Sequence, residues 1–293
     1  MKAIRKDFNS EYLFPIQMVY KDTKLPQKEL PNHFHEWYEI VYVYSGKGTF
    51  FIDHTFQDMG QGDIFFLPGN TIHHAIPDNE LPVTSTALFF DPLLLHNRFS
   101  DSTFSYLQLF DESARLQQYR YSLSPEQRNQ VNLFLDYIYK ELISDRNEVD
   151  YKQATLLQLQ MMLLQLNRSI IQQQEKQSTR KAIPSWLNDV LGYIEEHYTS
   201  ELSLNSLSEY GNVSPAHFSR VFKQKTGLNI SEYITTKRIL LAKNLLLQTN
   251  LNVSLIAEKC AFESMPHFYR TFKKYIGVTP SEYRKQGYLS QSH

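Results

Sequence analysis

A single cysteine, Cys260, is present in 293 residues. That excludes internal disulfides and any zinc site built from several cysteines, and Cys260 itself falls at an apolar position where a buried thiol is expected. No stretch of about eighteen apolar residues occurs, so no membrane-spanning helix is expected. The opening MKAIRKDFNSEYLF lacks the apolar core of a secretion signal. Together these predict a cytoplasmic protein. A strong charge of one sign is also missing: the formal net charge is −1, which does not suit a general nucleic-acid coat. No Ser-His-Asp or Cys-His arrangement has usable context, and no glycine loop suited to phosphate is present. The chain is therefore not expected to be an enzyme.

What is there begins with a repeat. At a constant offset of 50, Ser214, His217, Phe218, Arg220, Phe222, Lys223, Gly227, Ser231, Glu232 and Tyr233 recur as Ser264, His267, Phe268, Arg270, Phe272, Lys273, Gly277, Ser281, Glu282 and Tyr283. Ten identities in twenty positions mark two copies of one unit. Ser214 and Ser264 are placed as helix N-caps, each followed closely by a proline, Pro215 and Pro266, whose missing N–H costs nothing there. Phe218, Val221 and Phe222 then share one face, as do Phe268 and Phe272. His217, Arg220 and Lys223, like His267, Arg270 and Lys273, project to the other side. Gly227 and Gly277 end the helices, and Thr279, Pro280 and Glu282 read as a capping box. Short helices upstream, over 204–210 and 254–259, give each copy the spacing of a helix-turn-helix, with one long helix over 231–247 between the copies. The charge follows the repeat: residues 185–293 carry 12 Lys and Arg against 9 Asp and Glu, whereas residues 1–184 carry 18 against 22. The basic excess predicts salt-dependent affinity for DNA.

SPAHFSRVFKQKTGLNISEY with KRILLAKNLL, then VSLIAEKCAFESMPHFYRTFKKYIGVTPSEYR, resemble the DNA-binding module of AraC/XylS-type bacterial transcription regulators over about residues 186–287. Two departures stand out: Cys260-Ala261 replaces the usual aliphatic residue and glycine before Phe262, and Ser208 replaces a usual alanine. Ala261 raises the prospect of an altered turn. The resemblance implies that the helices starting at Ser214 and Ser264 enter successive major grooves of a double-stranded operator. In that pose Ala216, His217, Ser219 and Arg220 of the first helix, and Met265, Pro266, His267, Tyr269 and Arg270 of the second, face bases or phosphates. Arg220 suits guanine readout through its planar fork. Lys223, Lys273 and Lys274 suit phosphate contact.

The first half differs in kind. Segments rich in aromatic and β-branched residues over 14–20, 37–44, 49–52, 64–67 and 83–90, separated by Gly, Pro and Asp, predict a small β-barrel or sandwich. In it lies His33-Phe-His35-Glu-Trp37-Tyr-Glu39, followed later by Gly62, Pro68, Gly69 and His73. On one strand, positions 33, 35 and 39 share a face, so two imidazoles and a carboxylate converge, with His73 supplying a third ring from a neighbouring strand. These segments are similar to those of the cupin fold, which hold a metal with three histidines and a glutamate. The match is imperfect, since Gly69 sits one place early and the usual Asn after the last His is missing. Three readings stay open: His33, His35, Glu39 and His73 hold a divalent metal; these residues with Trp37 bind a small effector directly, a sugar being the expected class; or the groups bond one another structurally. No cofactor beyond that metal is implied.

A helix is predicted from Ser124 with Val131, Leu135, Ile138 and Leu142 as its stripe, and a second from about Asp150 with Leu156, Leu159, Leu163, Leu166 and Ile170. The second stripe reads equally as a dimer seam or as intramolecular packing. The resemblance favours a homodimer through this region. The polar QQQEKQSTRKA reads as a linker.

The expected architecture is multidomain α+β. It has a cupin-like β domain over 1–122, a helical, dimerising region over 123–174 and a linker over 175–184. An all-α DNA-binding domain over 185–293 carries helix-turn-helix units at about 204–225 and 254–275. The expected function is a sequence-specific transcription regulator, an activator by resemblance, controlled by a small molecule and working with RNA polymerase. A metal-dependent cupin enzyme, isomerase or dioxygenase, fused to a DNA-binding module is the alternative.

Overall fold

The computed structural model describes residues 4–6, 14–25, 32–95, 104–144, 148–171 and 185–291. The strands are β1 (Ile4–Arg5), β2 (Ile16–Lys24), β3 (His33–Phe34), β4 (Tyr38–Ser45), β5 (Lys47–Ile52), β6 (Thr55–Gly60), β7 (Asp63–Leu67), β8 (His73–Pro77), β9 (Val83–Phe90) and β10 (Arg120–Ser122). The helices are α1 (Gln108–Leu116), α2 (Pro125–Leu142), α3 (Glu148–Ile171), α4 (Ser185–His197), α5 (Leu204–Tyr210), α6 (Pro215–Thr226), α7 (Ile230–Gln248), α8 (Val253–Lys259), α9 (Met265–Ile276) and α10 (Pro280–Gln291). The chain divides into a β unit, Asp7–Leu30 with His35–Lys181, and a helical unit, Ala182–His293 with Met1–Lys6 and Pro31–Phe34. The linker expected over 175–184 lies outside the described residues.

In the β unit, β10-β7-β4-β9-β2 form an antiparallel sheet, and β8 and β6 flank β5 in another. Side-chain alternation along β4 and β7 explains why both segments read as unbroken apolar runs. Val41, Val43, Phe65 and Leu67 point inward and meet Phe50, Ile52, Met59 and Ala75 of the second sheet. Ile40, Tyr42, Ile64 and Phe66 point outward beneath α1, α2 and α3. Between β4 and β5 the chain turns at Gly46, whose φ of +88° and whose approach to the Pro82 carbonyl leave no room for a side chain.

The long stripes resolve against that outer face. Ser124 caps α2 in a capping box with Gln127, and Val131, Leu135 and Ile138 are buried. On α3, Leu159, Met162, Leu163, Leu166 and Ile170 are buried in the same cluster. Of the two readings of the α3 stripe, dimer seam or intramolecular packing, the stripe follows the second, because the sheet's outer face needs an apolar cover. Exposed instead are Leu133 and Tyr137 on α2 and Leu157 and Met161 on α3.

The helical unit follows the repeat. Ser214 and Ser264 accept from the backbone N–H of His217 and His267, and Gly227 and Gly277 close α6 and α9 in the left-handed conformation. Phe218, Phe222, Phe268 and Phe272 are buried. The expected Thr279–Glu282 capping box is present, with Glu282 Oε2 2.8 Å from the Thr279 nitrogen. Arg238 of α7 donates to the carbonyls of Tyr198, Ser200 and Ala261, which ties the end of α4 to the turn before α9. Grouped with this unit is the parallel pair β1–β3, where Arg5 donates to the Ile276 carbonyl and Asn32 to that of Thr226. These donors serve last-turn carbonyls of α9 and α6 that lack helical partners. Among the described residues no helix is long and apolar enough to cross a membrane.

Candidate nucleic-acid interface and effector site

The two helix-turn-helix units match in their upstream halves at an offset of 49, not 50. Gly211, Asn212 and Val213 donate to the carbonyls of Leu207, Glu209 and Ser208, just as Cys260, Ala261 and Phe262 donate to those of Ile256, Glu258 and Ala257. The left-handed turn residues are Asn212 (φ 50°) and Ala261 (φ 55°). Ala261 therefore keeps the turn its position demands, with its carbonyl held by Arg238 at 3.1 Å. From Ser214 and Ser264 onward the offset is 50, so the second unit carries one extra residue, Glu263, between turn and helix.

That geometry presents the expected faces to solvent. Ala216, His217, Ser219, Arg220 and Lys223 of α6 are exposed; Pro266, His267, Arg270, Lys273 and Lys274 of α9 are exposed, and Met265 and Tyr269 half-exposed. Lys225, not anticipated, adds an exposed cation to the last turn of α6. Arg220 Nη2 donates to His217 Nδ1 at 3.2 Å, and Tyr269 Oη lies 3.2 Å from Ser281 Oγ. Trp186 of α4 packs on His217 and Phe218, with ring centroids 5.9 and 5.6 Å apart. Phe262 packs in the same way on His267 and Phe268, at 5.6 and 5.1 Å. Trp186 has no counterpart within the repeat, which is why sequence spacing missed it.

In the β unit, His35, Glu39 and His73 come together and are buried. They do so differently from the expectation: β3 ends at Phe34 and the chain bends before β4 begins at Tyr38, so positions 33, 35 and 39 do not share one strand. His33 belongs to β3, grouped with the helical unit. The Nε2 atoms of His35 and His73 each lie 3.0 Å from the same oxygen, Glu39 Oε2. Their Nδ1 atoms donate to backbone carbonyls, of Trp37 at 2.7 Å and of Thr71 at 2.9 Å. A carbonyl only accepts, so each Nδ1 holds its proton and Nε2 is the ring atom that faces Glu39. Burial lowers the His35 imidazole below its ordinary range, against the pull of Glu39. For Glu39, burial alone would raise the carboxyl, but the His73 and His35 rings outweigh it and hold it well below the usual carboxylate range. Two imidazole nitrogens thus converge on one carboxylate oxygen, a donor set that fits a cation or the hydrogen-bonding groups of a bound molecule. Phe89 and Phe50 stand edge-on to the rings, and Trp37 packs half-buried beside the interior cluster.

Residues 15–161 match the family described as AraC-like ligand binding domain, and residues 207–286 the family described as Helix-turn-helix domain. Among curated relatives, the HTH-type transcriptional activator RhaS of Pectobacterium carotovorum subsp. carotovorum (strain PC1) is 26% identical over 92% of this chain and 93% of its own length. The bifunctional transcriptional activator/DNA repair enzyme AdaA of Bacillus subtilis (strain 168) is 33% identical over 37% of this chain and 51% of its own length. The C-terminal domain of the response regulator yesN from Fusobacterium nucleatum is 40% identical, covering 32% of this chain and 93% of that domain, with a TM-score of 0.32.

Proposed function

The chain belongs to the AraC family of transcription regulators, with a ligand-binding β domain and a helix-turn-helix DNA-binding domain, and from that premise we propose how each domain does its work. The helices α6 and α9 lie in adjacent major grooves of a double-stranded operator. Arg220 reads a guanine edge, Ala216, His217, Ser219, Met265, Pro266, His267, Tyr269 and Arg270 line the remaining base and sugar contacts, and Lys223, Lys273 and Lys274 grip phosphates. The observation that carries this reading is the pair of capped helices whose apolar faces are buried and whose basic faces are exposed at repeat-equivalent positions.

The effector is a carbohydrate, the class favoured by an aromatic-rich interior with buried polar groups. Its hydroxyl groups would hydrogen-bond with His35, Glu39 and His73, beside Trp37. The same three residues fit a divalent metal, whose charge the Glu39 carboxylate would partly balance. Binding shifts the population of DNA-competent arrangements, and DNA must then raise effector affinity by the same factor. A second copy of the chain docks on the exposed face of Leu133, Tyr137, Leu157 and Met161, and RNA polymerase is the remaining partner of the bound dimer.

Selection of the full-length protein on random duplex DNA tests the first half. The expected product is a site with two boxes about 10 base pairs apart; enrichment of no sequence would overturn the reading. Thermal unfolding against a sugar panel, with and without divalent metals, tests the second. A true ligand at a hundredfold excess over its dissociation constant adds about 2.7 kcal/mol, and that gain should vanish in His73→Ala.

A further inference from the structure

The recognition helices solve one mechanical problem in two ways. In each, the third helical residue is a histidine, His217 or His267, exposed on the reading face and therefore in need of a support if its ring is to hold one rotamer. In the second unit the support is local. Phe262, the residue that closes the turn, lies against both His267 and the buried Phe268. At the matching turn position the first unit has Val213, which carries no ring. The aromatic surface arrives from outside the unit, as Trp186 of α4, and touches the matching pair His217 and Phe218.

We infer that Trp186 is a positioning residue for DNA recognition, acting on Arg220 through His217. Trp186 fixes the imidazole plane, and Nδ1 of that ring accepts from Arg220 Nη2 at 3.2 Å. As the acceptor, Nδ1 carries no proton, so the neutral ring bears its proton on Nε2 as a further donor. Arg220 is long and exposed; untethered, it would lose its rotamer freedom only on binding DNA. Held by His217, the guanidinium is oriented beforehand and keeps its remaining N–H groups for a base edge. Among the described residues, no corresponding bond joins Arg270 to His267, so this preorganisation belongs to the first unit. The proposal rests on Arg220 reading a base.

The test uses full-length protein and its selected operator. The base pair that Arg220 reads is defined as the one whose preference Arg220→Ala flattens. Trp186→Ala should flatten preference at that same pair and weaken operator binding about threefold to tenfold, the size of one long side chain's rotamer freedom, while random DNA is bound as before. Trp186→Phe should restore most of the loss. In the Arg220→Ala background, Trp186→Ala should cost nothing further. His217→Phe keeps the ring contact but removes the acceptor, and should reproduce the loss of preference at an unchanged melting temperature. Because His217 is itself placed at the DNA, only the base pair read by Arg220 is scored in this variant, which keeps the proposal testable even where Trp186→Ala folds poorly. Additive losses in the double variant, equal losses on random DNA, or full preference in His217→Phe would each overturn the proposal. A flat response to Arg220→Ala itself would instead sink the base-reading assignment, and the proposal with it.

Discussion

The two helix-turn-helix units share caps, buried phenylalanines and terminal glycines, yet differ in how they reach the DNA-facing surface. In the second, among the described residues, the side chains that flank the exposed histidine and tyrosine of α9 come from the unit itself and α10: Phe262 under His267 and Ser281 beside Tyr269. In the first, α6 borrows Trp186 from α4, a helix upstream of the repeated stretch. Duplication copies the core easily, because burial demands only apolar residues at fixed spacing. The orientation of exposed readers depends on neighbours outside the copied stretch, and there the copies have diverged.

The most damaging way to probe this comparison is to remove the shared core. Phe218→Ala and Phe268→Ala should each cost about 3–5 kcal/mol, read by denaturant unfolding, and the two losses should agree. A clear inequality would mean that the units are not equivalent even in their cores. Next in size, Arg220→Ala should lower discrimination at one operator base pair by about 1–3 kcal/mol. Lys273→Ala should weaken all sequences alike and reduce the salt slope by about 1, measured by titration at several salt concentrations. Removal of the N-caps, Ser214→Ala and Ser264→Ala, should cost about 1 kcal/mol each. Here Cys260 gives a local reading: it is fully buried, with its thiol pushed up to about 12 by burial, so labelling reports opening of the second unit. Ser264→Ala should speed that labelling more than Ser214→Ala does. The smallest effect separates the turns. Ala261→Gly should stabilise by about 0.5–1 kcal/mol, since alanine tolerates the left-handed conformation poorly, whereas Asn212→Gly should gain less because asparagine tolerates it better. Equal gains in melting temperature would show that Arg238 has already absorbed the strain at Ala261.

Much of the helical unit was legible because its signals are local: a serine before each helix, a glycine after it, and an apolar stripe that repeats. The extra residue Glu263 escaped notice because all ten identities lie from Ser214 onward, so nothing upstream tested the register. In the β unit the longer strands were legible from their β-branched and aromatic runs, but β6, β8 and β10 were not. TFQDMG and HHAIP carry no clean alternation, and their strand state comes from pairing with β5. The site was half legible. The residue types at 35, 39 and 73 announced a polar cluster, but a straight strand through 33–39 was assumed and the chain bends before Tyr38. The α3 stripe had the right positions and left two partners open, because periodicity reports that a face is covered and not what covers it.

Between the two readers runs α7, nineteen residues without interruption, about 28 Å at 1.5 Å per residue. It behaves as a ruler. Because Arg238 also clamps α4 and the turn before α9 to this helix, the spacing and the azimuth of α6 and α9 are set before DNA arrives. One base pair inserted between the two operator boxes turns the second by about 35° around the duplex axis. A rigid ruler would not follow that rotation, so on the proposed docking the helix would act as a fixed gauge, and sites correct in letters but wrong in phase should bind poorly.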